Sequence, residues 1–265
     1  MPLVRLPLAI LFGWCLLGAE KPSPRLAPVY TTASIVNAAD NQSGELAPNA
    51  IGTIYGANLA YSTAAISLND IQGGVLPTVL GASETRVFVN NYPADLYYVS
   101  PVQINFLVPP NLLPESAIIH VVVDGLAGPA IQVNLGLAAP GLFQLDSQNA
   151  VATRPDGAVI TPASPAKPGD IVLLWATGLG VTAPPAVYGQ LPTEAAPLIA
   201  GANLSISLDG VPVGPYAIYY AGVAPYFAGL YQINLILPTS TGANPEIQLT
   251  LEGATSIAGV HIPVQ

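Results

Sequence analysis

At 265 residues the chain is long enough for two domains of ordinary size, each able to bury a core of its own. Hydrophobic residues make up 51% of it, and 25 Gly plus 28 Pro stay below the share of roughly 25–30% that marks low-complexity disorder. Fifteen acids against six bases leave a net charge of −9, which gives a phosphate backbone nothing to bind and argues against a nucleic-acid partner.

In chain order, Met1 to Arg5 carries one positive charge, Leu6 to Leu17 is an apolar run, and Gly18-Ala19 supplies small residues before Glu20. This pattern predicts a secretory signal peptide over residues 1–19. Its apolar run is shorter than the roughly 20 residues a membrane-spanning helix needs. Cleavage after Ala19 removes Arg5 and the single cysteine, Cys15, and leaves 5 bases against 15 acids. The mature chain then has no thiol for a disulfide or a thiolate metal site, and no membrane span. Residues 20–26, with Pro22 and Pro24, read as a linker.

From there the chain reads as two copies of one pattern. Ala27-Pro28-Val29-Tyr30, reaching Asn37-Ala38, is answered by Ala139-Pro140-Gly141-Leu142, reaching Asn149-Ala150. Next, Pro48-Asn49-Ala50-Ile51 through Tyr55 and Leu59 is answered by Pro168-Gly169-Asp170-Ile171 through Trp175 and Leu179. Each is an apolar run of β-formers after a turn, as a buried strand requires. Tyr55 and Trp175 hold the same place and read as core or strand-end aromatics. Arg86 to Val89 before Asn90-Asn91, and Ser205 to Leu208 before Asp209-Gly210, are strands running into tight turns that accept positive φ.

The most distinctive match follows. Tyr97-Tyr98-Val99-Ser100-Pro101 leads to the strand Gln103-Ile104-Asn105-Phe106-Leu107-Val108, and Tyr219-Tyr220-Ala221-Gly222 leads past Pro225 to Gln232-Ile233-Asn234-Leu235-Ile236-Leu237. The second copy carries an insertion, Tyr226 to Tyr231, where the first has only Val102. The copies close with final hairpins, 118–123 with 131–135 and 247–251 with 257–264. No window outside the leader shows a capped helical period. Short strands separated by Gly, Pro and Asn turns predict an all-β chain of two tandem immunoglobulin-like β-sandwich domains, residues 27–136 and 139–265.

Several stretches together carry a family resemblance: Ile35-Val36-Asn37-Ala38-Ala39, Ile54-Tyr55-Gly56-Ala57-Asn58-Leu59, Tyr98-Val99-Ser100-Pro101-Val102-Gln103-Ile104-Asn105-Phe106, Ala176-Thr177-Gly178-Leu179-Gly180 and Gly229-Leu230-Tyr231-Gln232-Ile233-Asn234. The chain resembles a bacterial family of extracellular repeats abundant in acidobacteria, the uncharacterised C-terminal domain of Solibacter-type proteins. Its individual repeats resemble the immunoglobulin-like IPT/TIG modules of cell-surface receptors. The resemblance implies a secreted tandem, extracellular or periplasmic, and supplies no activity, cofactor or catalytic residue.

The residues themselves point away from catalysis. Acyl or thioester chemistry needs a base beside its nucleophile, and the two histidines, His120 and His261, fall within strands as solvent-face residues. Asp124, Asp156, Asp209 and Glu252 each stand beside a Gly, as turn residues do, rather than in the clustered spacing of a calcium loop. No cofactor, metal or catalytic residue is expected. The functional candidates are aromatic: Tyr98, Tyr220, Tyr226 and Phe227 as ligand contacts. Alternation in a strand predicts that one Tyr of each pair faces inward and its neighbour outward, and outward rings stack on sugars or dock an apolar partner. The side-chain amides of Gln103, Asn105, Gln232 and Asn234 are expected to tie loop backbone. The reading is a non-catalytic binding, adhesion or structural module, its partner a polysaccharide or another surface protein. A carbohydrate-binding protein using the Tyr-rich loops is the alternative, and a hydrolase with an unrecognised site a more distant one.

Overall fold

The computed structural model describes residues 25–265 other than Ser83 and Pro215. The signal peptide and most of the linker read from the sequence therefore lie outside the described residues. The described chain is all-β, with helix confined to two single 3-10 turns, Thr32–Ser34 and Gly201–Asn203.

Twelve strands have three or more residues. In the first half these are β1 (Ile35–Asn37), β2 (Ile51–Tyr55), β3 (Arg86–Val89), β4 (Asp95–Val99), β5 (Gln103–Leu107), β6 (Ser116–Val123) and β7 (Ile131–Leu135). In the second they are β8 (Ile171–Thr177), β9 (Ser205–Leu208), β10 (Ile218–Val223), β11 (Tyr231–Ile236) and β12 (Ile247–Leu251). They form four sheets. The first has the order β1-β2-β5-β4 with Ala64–Ala65 at its edge, and the second runs Glu45–Leu46, β7, β6, β3, Tyr92–Pro93. The third runs Gly141–Leu142, β8, β11, β10, Ala196–Pro197, and the fourth Val211–Pro212, β9, β12, Ala254–Thr255.

Alternation decides which side chains are buried. Along β6, Ala117, Ile119, Val121 and Val123 are buried while their neighbours are not, and β12 buries Ile247, Leu249 and Leu251 in the same way. The buried sets make two large clusters. One unites Tyr30 with Ile54, Leu96, Ile104, Phe106, Ile119 and Val121 of the first and second sheets, and the other unites Ile262 with Leu142, Leu174, Ile206, Tyr231, Ile233 and Leu249 of the third and fourth. Packing of this kind supplies most of the stabilisation of a β fold, about 1.5–3 kcal/mol for each large apolar side chain removed from water.

The acidic turn residues behave as their sequence context predicts. Asp124, Asp209 and Glu252 have φ of 48°, 51° and 51°, each followed by a Gly at positive φ, the backbone that a two-residue hairpin requires. Asp156 instead accepts the Ala158 N–H at 3.0 Å. One expectation fails, and the strand placement of His261 fails with it. Residues 257–264 do not form a strand and are held by isolated bridges, Asn149 and Glu246 to His261 and Ala166 to Val264. Here Pro263 and Gly259, at φ 79°, interrupt any ladder. His261 accordingly sits at a bridge, and His120, on β6, stacks flat on Phe88 with ring centroids 4.9 Å apart.

Candidate functional site

The Tyr pairs were expected to alternate, and they do not. Both strands carrying them have a register shift at the first Tyr, between Leu96 and Tyr98 on β4 and between Ile218 and Tyr220 on β10. A bulge places two consecutive residues opposite one on the neighbouring strand. Consequently Leu96 and Val99 fill the core, and neither Tyr97 nor Tyr98 belongs to it. The side-chain amides also differ from expectation. Gln103 Nε2 donates to Asn105 Oδ1 at 2.9 Å and Gln232 Nε2 to Asn234 Oδ1 at 2.6 Å, so each pair satisfies itself along its own strand rather than holding loop backbone.

The two Tyr pairs meet different surroundings. Tyr97 packs beside Leu107, Ile51, Leu76, Ile66 and Leu191 against Ala228 of the second half, and its hydroxyl donates to the Ala228 carbonyl at 2.7 Å. Burial, with the Asp95 carboxylate nearby, pushes the Tyr97 phenol well above its ordinary value. Tyr219, its counterpart, is 51% exposed. The four aromatic candidates separate in the same way. Tyr98 is half-buried on β4 opposite Asn105 and Ala65, and Tyr220 is half-buried on β10 with its hydroxyl donating to the Val223 carbonyl at 2.9 Å. They lie on different sheets and do not form one site. Tyr226 and Phe227 lie together on the loop between β10 and β11, at 66% and 58% exposure. Tyr226 adopts φ 66°, a left-handed backbone unusual for a bulky residue. Its N–H is held by the Pro192 carbonyl at 2.7 Å.

That loop is the insertion seen in the sequence, and its inner side covers the first half. Gly229 at φ 74° lies so close that a Cβ there would stand 2.6 Å from Leu107 Cδ1 and 2.9 Å from Ile51 Cγ1. A polar network continues the seam. Asn49 Nδ2 donates to the Tyr231 hydroxyl at 3.0 Å, which donates to the Gly180 carbonyl at 2.5 Å. Thr177 Oγ1 accepts the Ile51 N–H at 2.9 Å and donates to the Gly229 carbonyl at 2.7 Å. Asn37 Nδ2 donates to the Ala139 carbonyl at 2.9 Å.

A strap, residues 182–194, crosses from the second half to the first. Leu76 N–H donates to the Gly189 carbonyl and Leu191 N–H to the Gly74 carbonyl, both at 2.9 Å, and the Tyr188 hydroxyl donates to the Pro93 carbonyl. Under Gly189 lies Asp95, only 2% exposed, with its Oδ1 unpaired. Burial pushes its carboxyl up to about 7, the Gly189 N–H opposing the rise. Between strap and seam is a cleft of about 190 Å³ floored by Asn49, Thr182, Ala196, Val223 and Ala228. Composition and spacing gave no sign of the strap or of Asp95. Pro184, Pro185 and Pro192 favour extended backbone there but do not say what the segment crosses.

Among the described residues no group of three or more His, Cys, Asp or Glu side chains is placed to hold a metal ion. No helix among them is long and apolar enough to cross a membrane.

No family model matches the chain, and no curated protein matches it. Among solved structures it is similar to a Bacteroides ovatus protein, SGBP-B of a mixed-linkage glucan utilization locus in complex with a heptasaccharide, at 13% identity and a TM-score of 0.33. The match covers 83% of this chain and 43% of that one. A surface glycan-binding protein of Prevotella bryantii matches at 12% identity and a TM-score of 0.27, over 89% of this chain and 42% of that one. Domains 5–6 of the S-layer protein SbsC match at 12% identity and a TM-score of 0.27, over 89% of this chain and 98% of that one. The chain thus spans less than half of the two glycan-binding proteins, and at these scores the likenesses decide neither fold nor function.

Proposed function

We propose that the protein is a non-catalytic extracellular or cell-surface binding module, built of two immunoglobulin-like sandwiches over residues 27–136 and 139–265. Two separate apolar clusters, each enclosed by its own pair of sheets, support the division. The resemblance to acidobacterial extracellular repeats and the signal-like leader support export.

The observation that carries the binding reading is the Tyr226–Phe227 pair. Two large rings stand in solvent on a loop whose inner side is fixed by Gly229, Thr177 and Pro192, and the backbone at Tyr226 is held in a costly conformation. Pre-ordered aromatics lose little entropy on binding, and their faces stack on the apolar side of a sugar ring or on another protein. A polysaccharide is the ligand we favour, in keeping with flat rings on a chain where acids outnumber bases 15 to 6.

The test is retention of residues 20–265 on insoluble cellulose and xylan, and in gels containing soluble β-glucan, beside a Tyr226→Ala/Phe227→Ala variant. Retention that the variant loses, with its melting temperature unchanged, supports sugar stacking at this loop. Retention that the variant keeps sinks the assignment of the site. Absence of retention on every glycan leaves a protein partner or a structural role.

A further inference from the structure

The seam has an unoccupied counterpart at the far end of the second half. Position by position, Ile51, Tyr97 and Leu107 of the first half correspond to Ile171, Tyr219 and Ile236 of the second, by the matched Pro48/Pro168, Tyr-Tyr and Gln-Ile-Asn stretches. The hydrogen bonds around them correspond too. Asn49 N–H donates to the Val108 carbonyl at 3.0 Å and Gly169 N–H to the Leu237 carbonyl at 3.0 Å. Val108 N–H donates to the Ala50 carbonyl at 2.8 Å and Leu237 N–H to the Asp170 carbonyl at 2.9 Å. Ile51 is the register partner of Leu107, and Ile171 of Ile236. Both Tyr97 and Tyr219 sit at the bulge beside this pair.

Burial is where the two faces part. Leu107 is 2% exposed, whereas Ile236 is 39% exposed, Ile171 38% and Tyr219 51%. What covers the first face is the Ala224–Leu230 loop together with Leu76 and the strap's Leu191, the small Ala228-Gly229 tip lying against Leu107 and Ile51 and the Ala228 carbonyl accepting from Tyr97. Among the described residues nothing equivalent packs on the second face. The chain end is also placed as the junction between the halves is: Gln265 N–H donates to the Ala166 carbonyl at 3.0 Å, as Gly136 N–H does to the Leu46 carbonyl at 2.8 Å.

We propose that the Ile171–Tyr219–Ile236 face is a docking site for another β-sandwich module of this type, bearing a small-tipped Ala-Gly loop like Ala224–Leu230. The tip seats on Ile236 and Ile171, and one of its carbonyls takes the Tyr219 hydroxyl. A second copy of this chain is a poor occupant, because among the described residues its one loop of this kind is already seated on its own first half. The first half has just Val102 at that position and so carries no such loop. The equivalence rests on the two-module reading above, while the docking experiment has its own readout.

The test extends the full chain by appending a second copy of residues 137–265 directly after Gln265, so that Gln265 takes the place of Gly136. Small-angle X-ray scattering of the extended chain is expected to fit one rigid three-module body. With Tyr219→Ala and Ile236→Thr in the middle module, the third module is expected to move freely. The same double variant in the unextended chain should shift its melting temperature by less than about 4 °C, since Tyr219 and Ile236 are already 51% and 39% exposed. That control separates loss of docking from loss of folding, and an appended copy that adds no β-sheet circular dichroism to that of the unextended chain would count against the module reading alone. A freely moving third module with the face intact overturns the proposal. So does dimerisation of the unextended chain that the double variant abolishes, which would make a second copy the occupant.

Discussion

Replacing Asp95 with Asn should reverse its effect on stability between pH 4.5 and pH 8. Asp95 is almost fully buried beneath the strap, with one oxygen unpaired and the phenols of Tyr97 and Tyr188 feeling its charge. Its carboxyl is raised from 3.8 to about 7. Between those values the folded protein holds a proton that the unfolded chain has released, so stability falls as pH rises through this range and levels off above it. At 1.36 kcal/mol per pH unit, the gap sets a ceiling of about 4 kcal/mol for the loss. Asn keeps an acceptor for the Gly189 N–H and cannot ionise, but it puts an unpaired N–H where the unpaired oxygen was, at a cost of about 1–3 kcal/mol. The variant should therefore be more stable than the parent by about 1–3 kcal/mol at pH 8, and less stable by up to about 2 kcal/mol at pH 4.5, where the parent has already lost about 1 kcal/mol. Urea titrations followed by far-ultraviolet circular dichroism, at half-unit steps of pH, give both curves. Their difference isolates Asp95, because Asp40, raised by burial, and Asp70 and Asp146, lowered by hydrogen bonds with Ser67 and Asn149, titrate in both proteins. A difference curve that is flat from pH 4.5 to 8 would refute the reasoning.

Two substitutions probe the seam itself. Tyr231→Phe removes the hydroxyl between Asn49 and the Gly180 carbonyl and leaves the Asn49 side-chain amide unpaired at both ends. Calorimetry should show a loss of about 2–3 kcal/mol for those buried polar groups, and a loss under 0.5 kcal/mol would mean the network relaxes without it. Gly229→Ala drives a methyl group into Leu107 and Ile51 at a residue with φ 74°, which should cost about 2–4 kcal/mol in overpacking and backbone strain combined. Its scattering should lose the rigid two-half shape expected of the parent, whose connection over residues 136–139 is short; a parent that scatters as two freely moving halves would contradict the seam.

Much of the fold was legible because its causes are local. Alternation along β6 and β12, positive-φ turn pairs such as Asp124-Gly125 and Asp209-Gly210, and the absence of a capped helical period all act within a few residues. The candidate aromatics were legible only as a composition. Tyr226 and Phe227 proved exposed, while Tyr98 and Tyr220, identical in pattern, proved half-buried on separate sheets. No rule of sequence spacing separates them, because a bulge at Tyr97 and Tyr219 cancels the alternation on which the expectation depended.

The sequence by itself determined most of the strands, though not the one expected at 257–264, with their turns, the matched Tyr-Tyr and Gln-Ile-Asn stretches, and the insertion at Tyr226 to Tyr231. Only the tertiary structure decided what those features meet. Leu107 and Ile236 occupy matching places, yet one is covered and the other is not, and Asp95 becomes a buried acid because a strap about a hundred residues away lies over it. Burial is a property of whatever packs on top, and for surfaces between halves the packing element is remote in the chain.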